Sequence, residues 1–263
     1  MTEILKVSRL TRNFGGLAAV SELNIEMNDG ELIGLIGPNG AGKTTVFNLL
    51  TGVYPPSNGT IEFTRQDGKT KSIGGKKPHA ICRAGIGRTF QNIRLFKNLT
   101  ALENVVVASQ QNFGYNLLVS LFHIPPWGKR EQEIYDEAFK LLEIMGMAEK
   151  ADERARNLSY GEQRHLEIAR ALATHPSLLL LDEPAAGMNP NETAELSELI
   201  SWLRSEFGIS ILLIEHDMSL VMNICERIYV LDHGILIASG TPAEIQSNPR
   251  VIEAYLGGEL ENV

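Results

Sequence analysis

Residues 37–44 read Gly37-Pro38-Asn39-Gly40-Ala41-Gly42-Lys43-Thr44, a glycine-rich stretch closed by a lysine and a hydroxyl residue. The spacing G-x-x-x-x-G-K-[ST] suits a loop that wraps phosphate. Glycines let successive backbone N–H groups turn inward on phosphate oxygens, and a following helix adds its positive end. Lys43 supplies a compact cation for the β- and γ-phosphates of a nucleoside triphosphate, and Thr44 supplies a hydroxyl for Mg²⁺. A plain glycine turn before a helix is the bland alternative. The strand-like run before the loop and the helix-like run after it favour the phosphate loop.

A second concentration of chemistry lies at Leu178-Leu179-Leu180-Leu181-Asp182-Glu183, four apolar residues followed by two acids. At the end of a buried strand, adjacent side chains point to different sides. Asp182 would hold Mg²⁺ through water, and Glu183 would polarise the water that attacks a γ-phosphate. An apolar run ending in acid is common by itself. Downstream of a phosphate loop it becomes functional.

These residues need elements to hold them. The N-terminal third reads as β, with Ile4 to Leu10, Leu23 to Met27 and Ile61 to Phe63 bounded by turn signals such as Asn28-Asp29-Gly30. Leu32 to Ile36 is an apolar run that stops at the glycine loop, and Thr44 to Leu50 looks helical. Strand, glycine loop, helix is the order a phosphate-binding unit requires. From about residue 92 to 160 the character is helical, with Leu102 to Gln111 and Lys129 to Met145 as the two periodic runs. Between them the segment 113–127 is apolar and carries Leu117, Leu118, Leu121 and Phe122. Either packing within the helical part or contact with a membrane partner would use it.

The last third alternates helices (Gly161 to Ala173, Asn191 to Arg204, Ser219 to Cys225) with apolar strands (Leu178 to Leu181, Ile209 to Ile214). Ile228 to Leu231 and Ile235 to Ala238 form a hairpin around Asp232-His233-Gly234. Fully apolar strands between helices imply a mainly parallel sheet covered on both faces.

Leu158-Ser159-Tyr160-Gly161-Glu162-Gln163 opens one of those helices, with Ser159 as N-cap and Glu162 as its capping-box acid. His216 follows Leu212-Leu213-Ile214-Glu215 at a strand end, and the neighbouring Glu215 carries no assigned role. Gln91 closes Arg88-Thr89-Phe90-Gln91, read as the end of a strand, and Phe14 sits in Arg12-Asn13-Phe14-Gly15-Gly16.

Taken in order, Phe14, Gly37 to Thr45, Gln91, Ser159 to Gln163, Asp182-Glu183 and His216 resemble the ABC ATPase family across the whole chain. The resemblance implies a P-loop NTPase core with a mainly parallel sheet, an antiparallel β subdomain and an inserted α-helical subdomain. It implies one nucleotide-binding domain over 1–263, with a core at 1–91 and 161–263 and a helical part at 92–160. Its substrate would be ATP with Mg²⁺.

The resemblance also distributes roles. Phe14 stacks on adenine. Gly37, Pro38, Asn39, Gly40, Ala41, Gly42, Lys43, Thr44 and Thr45 cradle the phosphates. Thr44, Gln91 and Asp182 serve the metal, and Gln91, Glu183 and His216 the hydrolysis. Ser159 and Gly161 contact the γ-phosphate held by an opposite subunit. The chain departs from the family's usual signature at Tyr160 and Glu162, and Asn189 stands where an aspartate is usual in the loop that meets its twin across the dimer.

A closer match comes from 88–96, 182–190, 213–218 and the tail from Asn248 to Gly257, which look like the ATP-binding subunit of high-affinity branched-chain amino-acid importers. That implies two membrane permeases, a second ATPase in a head-to-tail dimer, a substrate-binding protein and a peripheral place on the cytoplasmic face of the membrane. The ATPase of another single-cassette system, such as a lipopolysaccharide exporter, is the alternative. A soluble nucleotide-gated interaction module is another.

Composition is consistent with this. The 263 residues carry 24 Lys and Arg against 32 Asp and Glu, a formal charge of −8, which argues against a nucleic-acid partner. No apolar run approaches the roughly 20 residues that span a bilayer. The start shows no signal-peptide pattern. Cys82 and Cys225 match no metal or redox spacing and read as reduced thiols.

Overall fold

Alternating apolar residues at the start of the chain and continuous apolar runs later in it fold into two different sheets. The computed structural model describes residues 2–65, 67–110 and 127–260. The first part runs β1 (Glu3–Phe14), β2 (Leu17–Asn28), β3 (Leu32–Ile36), α1 (Lys43–Leu50), β4 (Asn58–Thr64), β5 (Thr70–Ser72), α2 (Pro78–Cys82) and β6 (Ile86–Arg88). Helices α3 (Ala101–Ser109), α4 (Trp127–Ile144) and α5 (Tyr160–Leu172) follow. The chain then alternates β7 (Leu178–Asp182), α6 (Pro190–Phe207), β8 (Ser210–Ile214), α7 (Met218–Ile224), β9 (Arg227–Asp232) and β10 (Ile235–Gly240). It ends with α8 (Pro242–Gln246) and α9 (Pro249–Leu260).

Contacts group these elements into two units, Met1–Arg88 with Ser177–Val263, and Thr89–Pro176. In the first unit, one sheet is antiparallel in the order β2-β1-β4-β5. The other has the order β10-β9-β3-β8-β7-β6 and is parallel except for the β9–β10 hairpin. Every residue of β3, β7 and β8 is buried, as strands covered on both faces require. A single core joins the sheets through α1: Phe47 and Leu50 pack with Leu5, Ile25 and Phe63 of the antiparallel sheet and Leu35, Leu180 and Leu212 of the parallel one.

The second unit is helical. Ile134, Ala138, Leu141 and Leu142 form the buried stripe of α4 that their three- and four-residue spacing predicts.

One expectation changes. The strand expected to end at Gln91 ends at Arg88, because Arg88 turns into a buried ion pair and the backbone beyond it is held by α5 instead. Contacts divide the chain at 88/89 and 176/177, which groups the helix opened by Ser159 with the helical unit. Buried Arg164 and Glu167 of that helix bond to Phe90 and Arg94. Short β5 and α2, and the terminal α8 and α9, lacked a periodic signal long enough to read. Residues 113–126 of the apolar segment, with Leu117, Leu118, Leu121 and Phe122, lie outside the described residues.

Candidate functional site

Parallel pairing brings the C-terminal ends of β3, β8, β7 and β6 to one edge of the sheet, and the loops leaving that edge carry the chemistry. β3 runs into the glycine loop. Gly37 has φ +150°, and a Cβ there would lie 2.1 Å from the Leu231 carbonyl oxygen. Gly42 caps α1 with φ +101°, and a Cβ would meet the Ala19 carbonyl at 2.6 Å. Both positions admit only glycine. The β9–β10 turn braces the loop from outside, the Gly234 N–H donating to the Ala41 carbonyl at 3.0 Å. Asn39 and Gly40 lie at its exposed tip, with Pro38 half-buried beside them, and Thr44 and Thr45 open α1 behind it. The Lys43 ammonium is buried and donates to the carbonyls of Gly37 at 2.5 Å and Pro38 at 3.0 Å. Burial pulls its pKa below the usual lysine value, opposed by the nearby carboxylates of Glu183 and Asp182.

Asp182 ends β7 at 1% exposure. Its Oδ2 accepts from Arg88 Nη2 at 2.8 Å. The other arm of that guanidinium reaches Asn48 Oδ1 at 2.8 Å and Thr51 Oγ1 at 2.9 Å, so β6, β7 and α1 share one cation. Glu183 leaves the strand in the left-handed region, φ +47°, a conformation that costs a non-glycine residue about 1–3 kcal/mol. Its N–H donates to the Ile214 carbonyl at 2.9 Å, which fixes the turn. Its carboxylate stands 3.7 Å from His216 Nδ1. His216 is largely exposed at the head of the loop after β8.

Glu215, read as an acid without a role, is fully buried between these loops. Its Oε1 accepts the Ala185 N–H at 2.7 Å, and Oε2 accepts the His216 N–H at 3.0 Å and the Asp217 N–H at 3.4 Å. Burial raises its pKa, and those three amides hold it back.

Phe14, at the end of β1, is 40% exposed and not a core residue. Tyr54 meets it edge-on with ring centroids 5.1 Å apart. The Arg12 guanidinium lies 4.6 Å from the Phe14 centroid and donates to the Pro55 carbonyl. The Asn13 N–H donates to Ser57 Oγ, so the tip of the hairpin is pinned to the turn after α1. An exposed, rigidly held ring can stack on a planar base.

Gln91, Ser159 and Gly161 belong to the helical unit. Gln91 is exposed, with its carbonyl accepting from Arg164 Nη2 at 3.2 Å. Ser159 caps α5 and completes the capping box: its Oγ accepts the Glu162 N–H at 3.3 Å, and Glu162 Oε2 accepts the Ser159 N–H at 2.7 Å. Those bonds to Ser159 hold the Glu162 carboxyl below its usual pKa. Gly161 follows in the first turn with open space where a Cβ would point. The exposed helix N-terminus suits an anion.

The ABC transporter family model matches residues 20–186. The chain belongs to the ABC transporter family. A second model, branched-chain amino acid ATP-binding cassette transporter, matches residues 236–261 of this ABC chain. It is 50% identical over 254 residues to BraF of Pseudomonas aeruginosa, a high-affinity branched-chain amino acid transport ATP-binding protein, covering 97% of this chain and 98% of that one. LivG of Escherichia coli K12, of the same description, is also 50% identical with the same coverage. Among solved structures, the ADP conformation of an ATP-binding cassette of an ABC transporter superposes with TM-score 0.83 at 34% identity, covering 98% of this chain and 100% of that one. A nucleotide-free cassette gives 0.82 at 34% identity, covering 97% and 99%.

The donors available in the ABC chain suit a hard divalent cation. Thr44 offers a hydroxyl and Asp182 a carboxylate, hard oxygen donors of the kind Mg²⁺ takes. Among the described residues no cluster of three or more His, Cys, Asp or Glu competes as a soft-metal site. Sequence reasoning gave no role to Arg88, Glu215, Tyr54 and Arg164, which act on partners distant in the chain.

Proposed function

We propose that this chain is the ATP-binding and ATP-hydrolysing subunit that powers an importer of branched-chain or related amino acids. The observation that carries the reading is the sheet edge where the glycine loop with Lys43 meets Asp182, Glu183 and His216. Identity of 50% to BraF and LivG supports the transport role and the substrate class.

Phe14 stacks on adenine, and the amides of the 37–45 loop with Lys43 receive the phosphates. Thr44 and Asp182 would hold Mg²⁺, which when bound would neutralise phosphate charge; Gln91 keeps the metal role that the family resemblance implies. Glu183 orients the attacking water and draws on its proton, and His216 bridges that carboxylate and the γ-phosphate. Ser159 and Gly161 serve the nucleotide of a second cassette docked head to tail. Two permeases and a substrate-binding protein complete the assembly at the cytoplasmic face. No described helix is long and apolar enough to cross a membrane.

The test is Glu183→Gln in the complex purified through a tag on the full-length chain. ATP binding should persist while turnover falls by about 10²–10⁴-fold. Near-normal turnover overturns the catalytic assignment. Uptake of labelled leucine that survives deletion of the chain overturns the substrate class.

A further inference from the structure

Tyr160 opens α5 with its ring exposed, and its hydroxyl turns along the helix. It accepts from Arg164 Nη2 at 3.0 Å, one turn further along α5, with the guanidinium 5.7 Å from the ring centroid. Arg164 is fully buried. Its Nη1 donates to the Phe90 carbonyl at 2.9 Å and to Glu167 Oε2 at 2.9 Å, and its Nη2 also reaches the Gln91 carbonyl at 3.2 Å. Glu167 Oε1 in turn accepts the N–H of Phe90 at 3.2 Å and of Arg94 at 3.3 Å. Two side chains from one face of α5 therefore grip both ends of the segment 90–94.

A buried ion pair is a weak source of stability, because desolvation consumes most of the Coulomb energy. Burial here raises the Glu167 pKa despite Arg164 and the Arg94 and Phe90 amides. What such a pair supplies is geometry: the planar fork of arginine fixes several acceptors at once.

We infer that Arg164, with Glu167 and Tyr160, is a positioning device that makes the Gln91 backbone and the N-terminus of α5 a single body. Any displacement of the 90–94 segment is then delivered to Ser159 and Gly161. Tyr160 is the latch, joining the cap of α5 to the same guanidinium that holds Gln91. The inference rests on the proposed nucleotide roles of Gln91, Ser159 and Gly161, and it adds how their positions depend on one another.

Arg164→Lys tests it in the purified complex. Lysine keeps the charge opposite Glu167 but cannot fork to two carbonyls and the tyrosine. ATP affinity should stay within about twofold while kcat falls roughly tenfold, the scale of loss from small misplacement of reacting groups. Placed on Gln91→Ala, the change should cost little further, because both act on one element. Tyr160→Phe, an exposed position that does not threaten folding, should lower kcat by about fivefold, the worth of one hydrogen bond. A kcat within twofold of wild type in Arg164→Lys overturns the inference, as does a parallel loss of ATP affinity. Gln91→Ala and Ser159→Ala are measured alongside. If both retain full turnover, the nucleotide roles fall and the inference with them. If both lose it while Arg164→Lys does not, the inference alone falls.

Discussion

The Glu215 carboxylate takes the Ala185 amide at 2.7 Å and so ties the end of β8 to the loop that follows Glu183. Its second oxygen takes the His216 amide, which sets the separation of His216 from Glu183. Glu215→Gln is nearly isosteric, but its NH₂ would face an amide donor on one side. The expected result is a fall in kcat of up to about 10²-fold with nucleotide affinity preserved. Steady-state ATPase rates together with equilibrium nucleotide titration check it.

Arg88 and Asp182 form a buried pair at 2.8 Å, with Arg88 also bonded to Asn48 of α1 and to Thr51 at its C-cap. Arg88→Met removes the guanidinium and leaves the buried carboxylate. Breaking such a pair destabilises by about 3–5 kcal/mol, so the urea midpoint should drop sharply. Adding Asp182→Asn to it should recover part of the loss, since the stranded charge is then gone. Equilibrium denaturation of the three variants reads both effects.

These two relationships also mark where the sequence stops being informative. The glycine loop and the acids after Leu181 could be read because strand-end position and local spacing are written in consecutive residues, whereas His216 was singled out only by the family resemblance. The parallel sheet followed from the unbroken apolar runs. Arg88 and Asp182 lie 94 residues apart, Arg164 and Gln91 lie 73 apart, and Glu215 and Ala185 lie 30 apart. Which side chains meet across such separations depends on the strand order β3-β8-β7-β6 and on the face α5 buries. No periodicity encodes that. Asn189 shows the same limit in miniature. Its place in a loop was readable, but its Oδ1 accepts the amides of Asn191 and Glu192 and makes it the N-cap of α6.

Phe14 should carry base affinity. Its ring is exposed and braced by Tyr54 and Arg12. Base–aromatic stacking is worth about 1–3 kcal/mol, so Phe14→Ala should weaken ATP binding at least fivefold. Phe14→Tyr should bind near normally. Tyr54→Ala, which removes only the brace, should lose less than Phe14→Ala. Calorimetric titration with ATP ranks the three.

Cys225 provides a check on packing that is independent of nucleotide. It is buried beside Gly34, and burial first, with Glu226 second, pushes its thiol from 9.0 up to about 12. A thiol ionises more readily in the unfolded chain than here, so the folded state binds this proton more tightly. The stability linked to that proton is fully present below pH 9 and is lost as pH rises from 9 toward 12. Alkylation follows the thiolate. At pH 8 a neutral alkylating reagent should therefore leave Cys225 untouched in the native protein and label it in urea. Mass spectrometry of the peptide carrying Cys225 decides. Rapid native labelling would mean that the helix carrying Val221, which packs with Cys225 over Gly34, opens locally and that the burial described for it does not hold in solution.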